Sequence, residues 1–363
     1  MTLKPLDGFK SLETHHCVTG SMRDIYAYND HDISEDMLLG IGAGVSFSYW
    51  HFKGQPPFMG GRGMPKPSME EIAGQRTGVS IEGHTTTSAR RARQTLLETL
   101  KAGQPVMLQV DMGYLPYFDF GGEEYHFGGH AVVACGYDPE TDQVLIADRD
   151  AELHPVSMEN LEKARGSPHQ PFPPKHKWLT FDFSQKRQPA ADEVRQAIAQ
   201  QAEPMLEPPI SNIGVKGIRK AAKMAVKWPD SMSEQELRWT LFNCYIFISP
   251  EGGSGGGNFR TMFSRFLHEG AGITGDPRLD QSAGEFKQIA DEWEKLGEWF
   301  KQASEAADPA SLLSECTGPL NELADLEEAA WERLREIAPL ETTLQTSIVE
   351  DEDVRKHLKY MQD

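Results

Sequence analysis

The chain has 363 residues, 39% of them hydrophobic, which is enough apolar mass for two domains of ~100–200 residues each. Its 36 Lys+Arg against 55 Asp+Glu give a net charge of −19. That argues against nucleic acid or an anionic membrane as the main partner, since both call for a basic surface. The acid is uneven: residues 281–363 hold 20 acidic and 8 basic side chains. The opening MTLKPLDGFKSLETHH lacks the apolar core of a signal peptide, and no apolar run approaches the ~18 residues of a membrane span. The four cysteines, Cys17, Cys135, Cys244 and Cys316, form no C-x-x-C pair. Reduced thiols and a cytoplasmic location are expected, and neither a zinc knuckle nor any other metal site.

In chain order, the spacing first predicts a helix over 18–28, with Met22, Ile25 and Tyr26 on one face. Gly40-Ile41-Gly42-Ala43-Gly44 lies between a helix-like and a strand-like segment. Val45 stands where a dinucleotide fingerprint needs its third glycine, so these glycines read as a tight turn. A helix over 87–102 places Ala92, Leu96, Leu97 and Leu100 at helical spacing and stops at Gly103. Runs rich in Val and Ile at 106–112, 130–138 and 142–150 read as strands, the last two a hairpin around Asp138-Pro139-Glu140-Thr141-Asp142. GSPHQPFPPKHKW, 166–178, reads as a loop and a domain boundary.

Beyond it the pattern is helical: 190–201, 213–228, a helix opened by the capping box Ser233-x-x-Glu236, one after the glycine tract 252–257, then 281–306 and 309–337. No internal repeat is evident. The expected fold class is α+β, with an α+β domain over 1–165, an all-helical domain over 185–345 and an acidic, charged tail over 346–363.

The chemistry converges on Cys17, in Thr14-His15-His16-Cys17-Val18. It stands at the start of the 18–28 helix, where the macrodipole stabilises negative charge and raises the thiolate fraction. A cysteine nucleophile also needs a base, and often a third group to orient the base. His130 opens one strand of the predicted hairpin and Asp148 closes the other, so antiparallel pairing makes them neighbours. The result is a Cys–His–Asp set in chain order. Cys135 and Cys244 lie inside apolar runs and read as core; Cys316 reads as inert.

The run Gly129-His130-Ala131-Val132-Val133-Ala134-Cys135-Gly136-Tyr137-Asp138 resembles the histidine strand of papain-like cysteine proteases, whose order of Cys, helix, His strand and final Asp or Asn is also the same. The likeness is closer to one branch, the butirosin-biosynthesis BtrH-like family. It rests on His15-His16-Cys17, the glycine-rich LLGIGAGVSFSYW over 38–50, Leu115-Pro116-Tyr117 ahead of the histidine, the Gly-His-Ala-Val-Val run and Asp148-Arg149. In the second half it rests on GGSGGG-x-F-R with a following F-L-x-E run, 252–269.

The resemblance, covering 10–340, implies a papain-like N-terminal domain and an acyltransferase. Such an enzyme moves an acyl group from an acyl or peptidyl carrier protein, or from CoA, to a small amine acceptor. On that reading Cys17 takes the acyl group from the thioester, His130 is the base and Asp148 orients it. No cofactor is implied, because phosphopantetheine arrives with the substrate. The C-G-[SA]-C-[WY] signature of the proteases is absent, and no Gln just upstream of Cys17 supplies half of an oxyanion hole, which leaves His15, His16 or backbone N–H groups. A papain-like cysteine peptidase or amide hydrolase that uses water is the alternative. A module that only binds a carrier is a third reading, disfavoured by the complete Cys–His–Asp set.

His16, Asp111, Tyr117 and Glu124 are the candidate substrate-binding residues; carboxylates ahead of His130, with Asp119 and Glu123 among them, would attract a cationic amine. Lys216, Arg219, Lys220 and Lys223, continued by Lys227, form a basic stripe in an acidic chain. It suits an acidic carrier protein, beside the plainer reading as a solvated helix face. The tract at 252–257 is either a flexible linker or a loop whose N–H groups, at the start of the next helix, bind a phosphopantetheine phosphate.

Overall fold

The computed structural model describes residues 3–51, 55–122 and 125–339. The chain is mixed α/β, with a β-sheet region toward its N-terminus and a helical region toward its C-terminus. In order come α1 (Cys17–Tyr28), α2 (Glu35–Ile41), β1 (Val45–Trp50), β2 (Phe58–Arg62), α3 (Met69–Thr77), β3 (Ser80–His84), α4 (Ala89–Lys101), β4 (Val106–Val110), β5 (His130–Asp138), β6 (Gln143–Ala147), β7 (Leu153–Ser157), α5 (Met158–Gly166) and β8 (Trp178–Asp182). The helical region follows with α6 (Ala191–Leu206), α7 (Gly214–Ala225), α8 (Glu234–Ile248), α9 (Arg260–Thr274), α10 (Pro277–Glu305), α11 (Pro309–Leu312) and α12 (Thr317–Ile337). These elements gather into two compact units: residues up to Leu38 with Thr77–Gln188, and Leu39–Arg76 with residues from Pro189 on.

In the first unit an antiparallel sheet of order β3-β8-β4-β5-β6-β7 is built around β5. Val132 and Ala134 of β5 belong to the core formed with α4 and α5. Ala131, Val133 and Cys135 on the alternate face are equally buried. A strand covered on both faces reads as an unbroken apolar run, as this one does. The β5–β6 turn is set by Asp138, whose carboxylate takes the Glu140 N–H and the Thr141 hydroxyl, both at 3.0 Å.

The expected boundary after 165 falls inside this unit. The Pro- and His-rich segment is a loop, but it returns the chain to the sheet, and β8 inserts between β3 and β4 with Trp178 and Leu179 buried. Its composition marks a surface excursion, and only strand pairing tells an excursion from a domain linker.

The second unit takes in the early segment 39–76. Its β1–β2 hairpin is antiparallel and packs against α7 and α8. Phe47 stacks on Trp293 of α10 at 5.5 Å. Gln201 of α6 reads the turn before β1, accepting the Val45 N–H at 3.0 Å and donating to Gly40 O at 3.1 Å. In that turn Ala43, not a glycine, holds the left-handed φ of 56°. Gly40 is demanded by packing, since a Cβ there would lie 2.0 Å from the Phe266 ring. At the centre of the unit a fully buried Arg260 meets Glu327 at 2.6 and 3.2 Å, and the Trp293 and Trp331 indole N–H groups donate to the same carboxylate at 2.8 and 2.7 Å. A buried ion pair is tolerable only when its remaining lone pairs are met in this way.

The glycine tract is neither a linker nor a phosphate loop. Gly253–Phe259 is buried, and Gly255, Gly256, Gly257, Asn258 and Phe259 all have positive φ. Ser254 Oγ bonds Ile248 O and Ser249 O at 2.7 and 2.8 Å. The Arg260 N–H at the head of α9 is taken by Gly257 O at 3.0 Å. Glycine supplies the left-handed backbone and the close approach to α10, where a Cβ on Gly257 would lie 2.5 Å from Ala290.

Candidate active site

Cys17 is the first residue of α1, and His16 is its N-cap, with Nδ1 accepting the Thr19 N–H at 3.4 Å and lying 3.1 Å from Thr19 Oγ1. The turn that delivers Cys17 is clamped from below by Glu35. The His15 and His16 N–H groups donate to its carboxylate at 2.9 and 2.8 Å, and the Thr19 hydroxyl at 3.0 Å. Burial pushes the Glu35 carboxyl above its ordinary range, against the pull of those donors. On the other side the Thr14 N–H donates to Arg149 O at 2.8 Å, which ties the approach to Cys17 to the segment holding Asp148.

Val133 pairs with Ala147 across the hairpin, so Asp148 arrives level with Val132, one pleat repeat from His130. The His130 Nε2 to Asp148 Oδ2 distance is 2.7 Å, and both side chains are buried. Cys17 hydrogen-bonds the same imidazole. Burial works against the imidazolium, but the Asp148 carboxylate and then the Cys17 sulfur outweigh it and hold His130 up at about 9. Asp148 is likewise resisted by burial, yet lies below the usual carboxylate range because of His130, Arg149 and the Tyr117 hydroxyl. The Tyr117 hydroxyl donates to Oδ2 at 2.9 Å, while Arg149 Nε is 3.6 Å from Oδ1. The Phe118 ring stands edge-on to the imidazole at 5.6 Å.

Cys17, His130 and Asp148 are therefore brought together, and of the other sequence-derived candidates His16 and Tyr117 lie beside them in supporting positions. His16 serves the cap of α1. Tyr117 lies with its hydroxyl on Asp148 and its ring on His154, at 4.1 Å. Asp111 is withdrawn from the amine-binding set: it is 0% exposed, with Oδ1 accepting the Gly113 and Phe127 N–H groups at 3.0 and 3.1 Å and Oδ2 meeting Ser167 Oγ and His126 Nδ1 at 2.5 and 2.9 Å. No lone pair is left to face a ligand. Glu124, like Glu123, lies outside the described residues.

Of the basic stripe on α7, Lys216 and Lys223 are exposed, and Lys220 donates to Asn212 Oδ1 at 2.9 Å. Arg219 is spent on α12, 2.7 Å from both Asp325 and Glu328. Among the described residues, no group of three or more His, Cys, Asp or Glu side chains is arranged to hold a metal ion, and no helix is long and apolar enough to cross a membrane.

Glu35 was not legible in the sequence. An acid in the first turn of a helix is ordinary, and nothing local shows that it faces inward toward His15 and His16. The same holds for Asp24, two turns after Cys17 on α1 and buried, which accepts the Leu12 N–H at 3.0 Å.

The two halves of this mixed α/β protein, a sheet region that brings Cys17, His130 and Asp148 together and a helical region after it, each match a described family. Residues 16–149 match the one described as Butirosin biosynthesis protein H, N-terminal, and residues 159–334 match a domain of unknown function, DUF4872. With an N-terminal domain of the first kind followed by the second, the chain belongs to the BtrH-like family. Among curated proteins no match to the chain is found.

Proposed function

We propose that the chain is a biosynthetic cysteine acyltransferase of papain-like fold, which moves an acyl group from a carrier-protein or CoA thioester through Cys17 to an amine. The observation that carries the reading is the meeting of a helix-initiating cysteine with a histidine held at 2.7 Å by a buried aspartate. A family named for a protein of butirosin biosynthesis supports biosynthetic chemistry over protein turnover.

The Cys17 thiolate attacks the thioester carbonyl carbon. The tetrahedral adduct collapses with cleavage of the donor C–S bond, and the leaving thiolate takes the proton of the His130 imidazolium. The acyl group is now a Cys17 thioester. The acceptor amine attacks, neutral His130 takes a proton from its nitrogen, and Cys17 leaves as thiolate to complete the amide and restore the starting charges. Asp148 holds the imidazole in place through both halves. Exchange between two thioesters is nearly isoenergetic and aminolysis runs downhill, which suits a cysteine carrier of the acyl group.

Intact-mass spectrometry of the full chain mixed with an acyl-loaded carrier protein, or with acyl-CoA, tests this. An adduct of acyl mass is expected on the wild type and none on Cys17→Ala. Absence of an adduct with every thioester offered, together with cleavage of peptide substrates, would establish the peptidase reading instead.

A further inference from the structure

We infer that Tyr117 is a positioning residue for Asp148 and sets how tightly the His130–Asp148 pair keeps its proton, an inference that rests on the acyl-transfer reading for the use made of that pair. Its hydroxyl donates to Oδ2, the same oxygen that faces His130 Nε2. The other oxygen, Oδ1, is buried with no hydrogen-bond partner among the described residues, and Arg149 Nε stands off at 3.6 Å. The orientation of the carboxylate is thus fixed on one oxygen, by two donors.

The phenol is itself held by two neighbouring rings. His154 stacks on it at 4.1 Å and 23°, and Phe118 lies against it at 4.9 Å. Phe118 in turn meets the His130 ring, closing a circuit of contacts from Asp148 through Tyr117 and Phe118 back to His130. Asp150 anchors His154 at 3.0 Å. A tyrosine used only for packing has no need to aim its hydroxyl at a buried carboxylate. Burial and the Asp148 charge oppose the phenolate, so the hydroxyl remains a donor at every working pH.

A donor to an anion lowers its affinity for a proton. Removing the donor makes the pair as a whole hold its proton more tightly, whichever member carries it.

The test is the pH profile of Cys17 alkylation by iodoacetamide in the full chain. Its upper inflection marks loss of the proton from the imidazolium. Tyr117→Phe keeps the ring and its stacking and removes only the donor. The inflection should move upward by about half to one pH unit, the size of one net hydrogen bond. In an Asp148→Asn background the same substitution should move nothing. Should the Phe variant melt, a fluorotyrosine placed at position 117 strengthens the donor and should move the inflection downward. An unmoved inflection in a folded Tyr117→Phe protein, or the same movement with and without Asp148, would overturn the inference and leave the acyl-transfer reading standing. A wild-type profile of an ordinary free thiol would sink both.

Discussion

Asp24 carries a titration that the catalytic set does not use. Burial raises its carboxyl to about 7, and the neighbouring Glu35 and Asp148 charges add to the effect, against the Leu12 N–H and Arg23. Its folded value lies above the ordinary 3.8. The folded state therefore binds the extra proton between about pH 4 and 7, and stability falls as pH rises through that window. The stabilisation is complete only below it, and the cost at pH 8 is up to about 4 kcal/mol. Asp24→Asn keeps an acceptor for Leu12 and removes the charge. Urea unfolding should show the variant more stable than wild type at pH 8 and less dependent on pH than wild type between about 4 and 7; a wild-type slope retained in full in the variant would place the titration elsewhere. The same scale separates what was legible in the site from what was not. That His130 and Asp148 are neighbours was readable because hairpin pairing fixes neighbours from spacing alone, whereas the approach of Cys17 to them, from far away in the chain, followed only from the resemblance. Asp111 was misread because a carboxylate near the histidine looks the same in sequence whether it faces solvent or four internal donors.

Elements were read well where their own periodicity decided them. α1, α4, β4–β6 and the box-capped α8 fall where spacing and capping place them, with Ser233 and Glu236 exchanging the expected bonds. The glycine tract was misread because glycine is chosen equally for freedom and for confinement. Its packed role predicts a large cost for a single methyl. Gly257→Ala places a Cβ 2.5 Å from Ala290 at a φ of 54°, and should lose about 2–5 kcal/mol by urea unfolding, from left-handed strain and overpacking together. Gly275→Ala has a similar φ of 67° but open space around the new atom, and should lose only the strain, about 1–2 kcal/mol. Equal losses would mean that close approach to α10 is not what requires glycine in the tract.

Over the whole molecule the net −19 would repel an acidic carrier, so any docking face must be local. On α7 the exposed Lys216 and Lys223 remain suited to that role, and Arg219 does not, being neutralised within its own unit. Reversing both lysines to Glu should raise the KM for a carrier-bound thioester several-fold at low salt and leave turnover of a small thioester unchanged; equal losses on both substrates would make the stripe structural. The division of the chain is also a property of this scale. Two successive domains were expected, yet the polypeptide crosses between units near residues 38, 76 and 188.

The sequence by itself determined the helix that begins at Cys17, the hairpin that joins His130 to Asp148, the helical second half and the family, because each of these follows from local periodicity or from residues close in the chain. Only the tertiary structure decided that 39–76 packs with the helices, that β8 completes the first sheet, that Glu35 clamps the nucleophile's turn and that Tyr117 serves Asp148. Those outcomes depend on which surfaces bury each other across separations of 16 to over 200 residues, and side-chain burial over such distances leaves no mark on the spacing of residues along the chain.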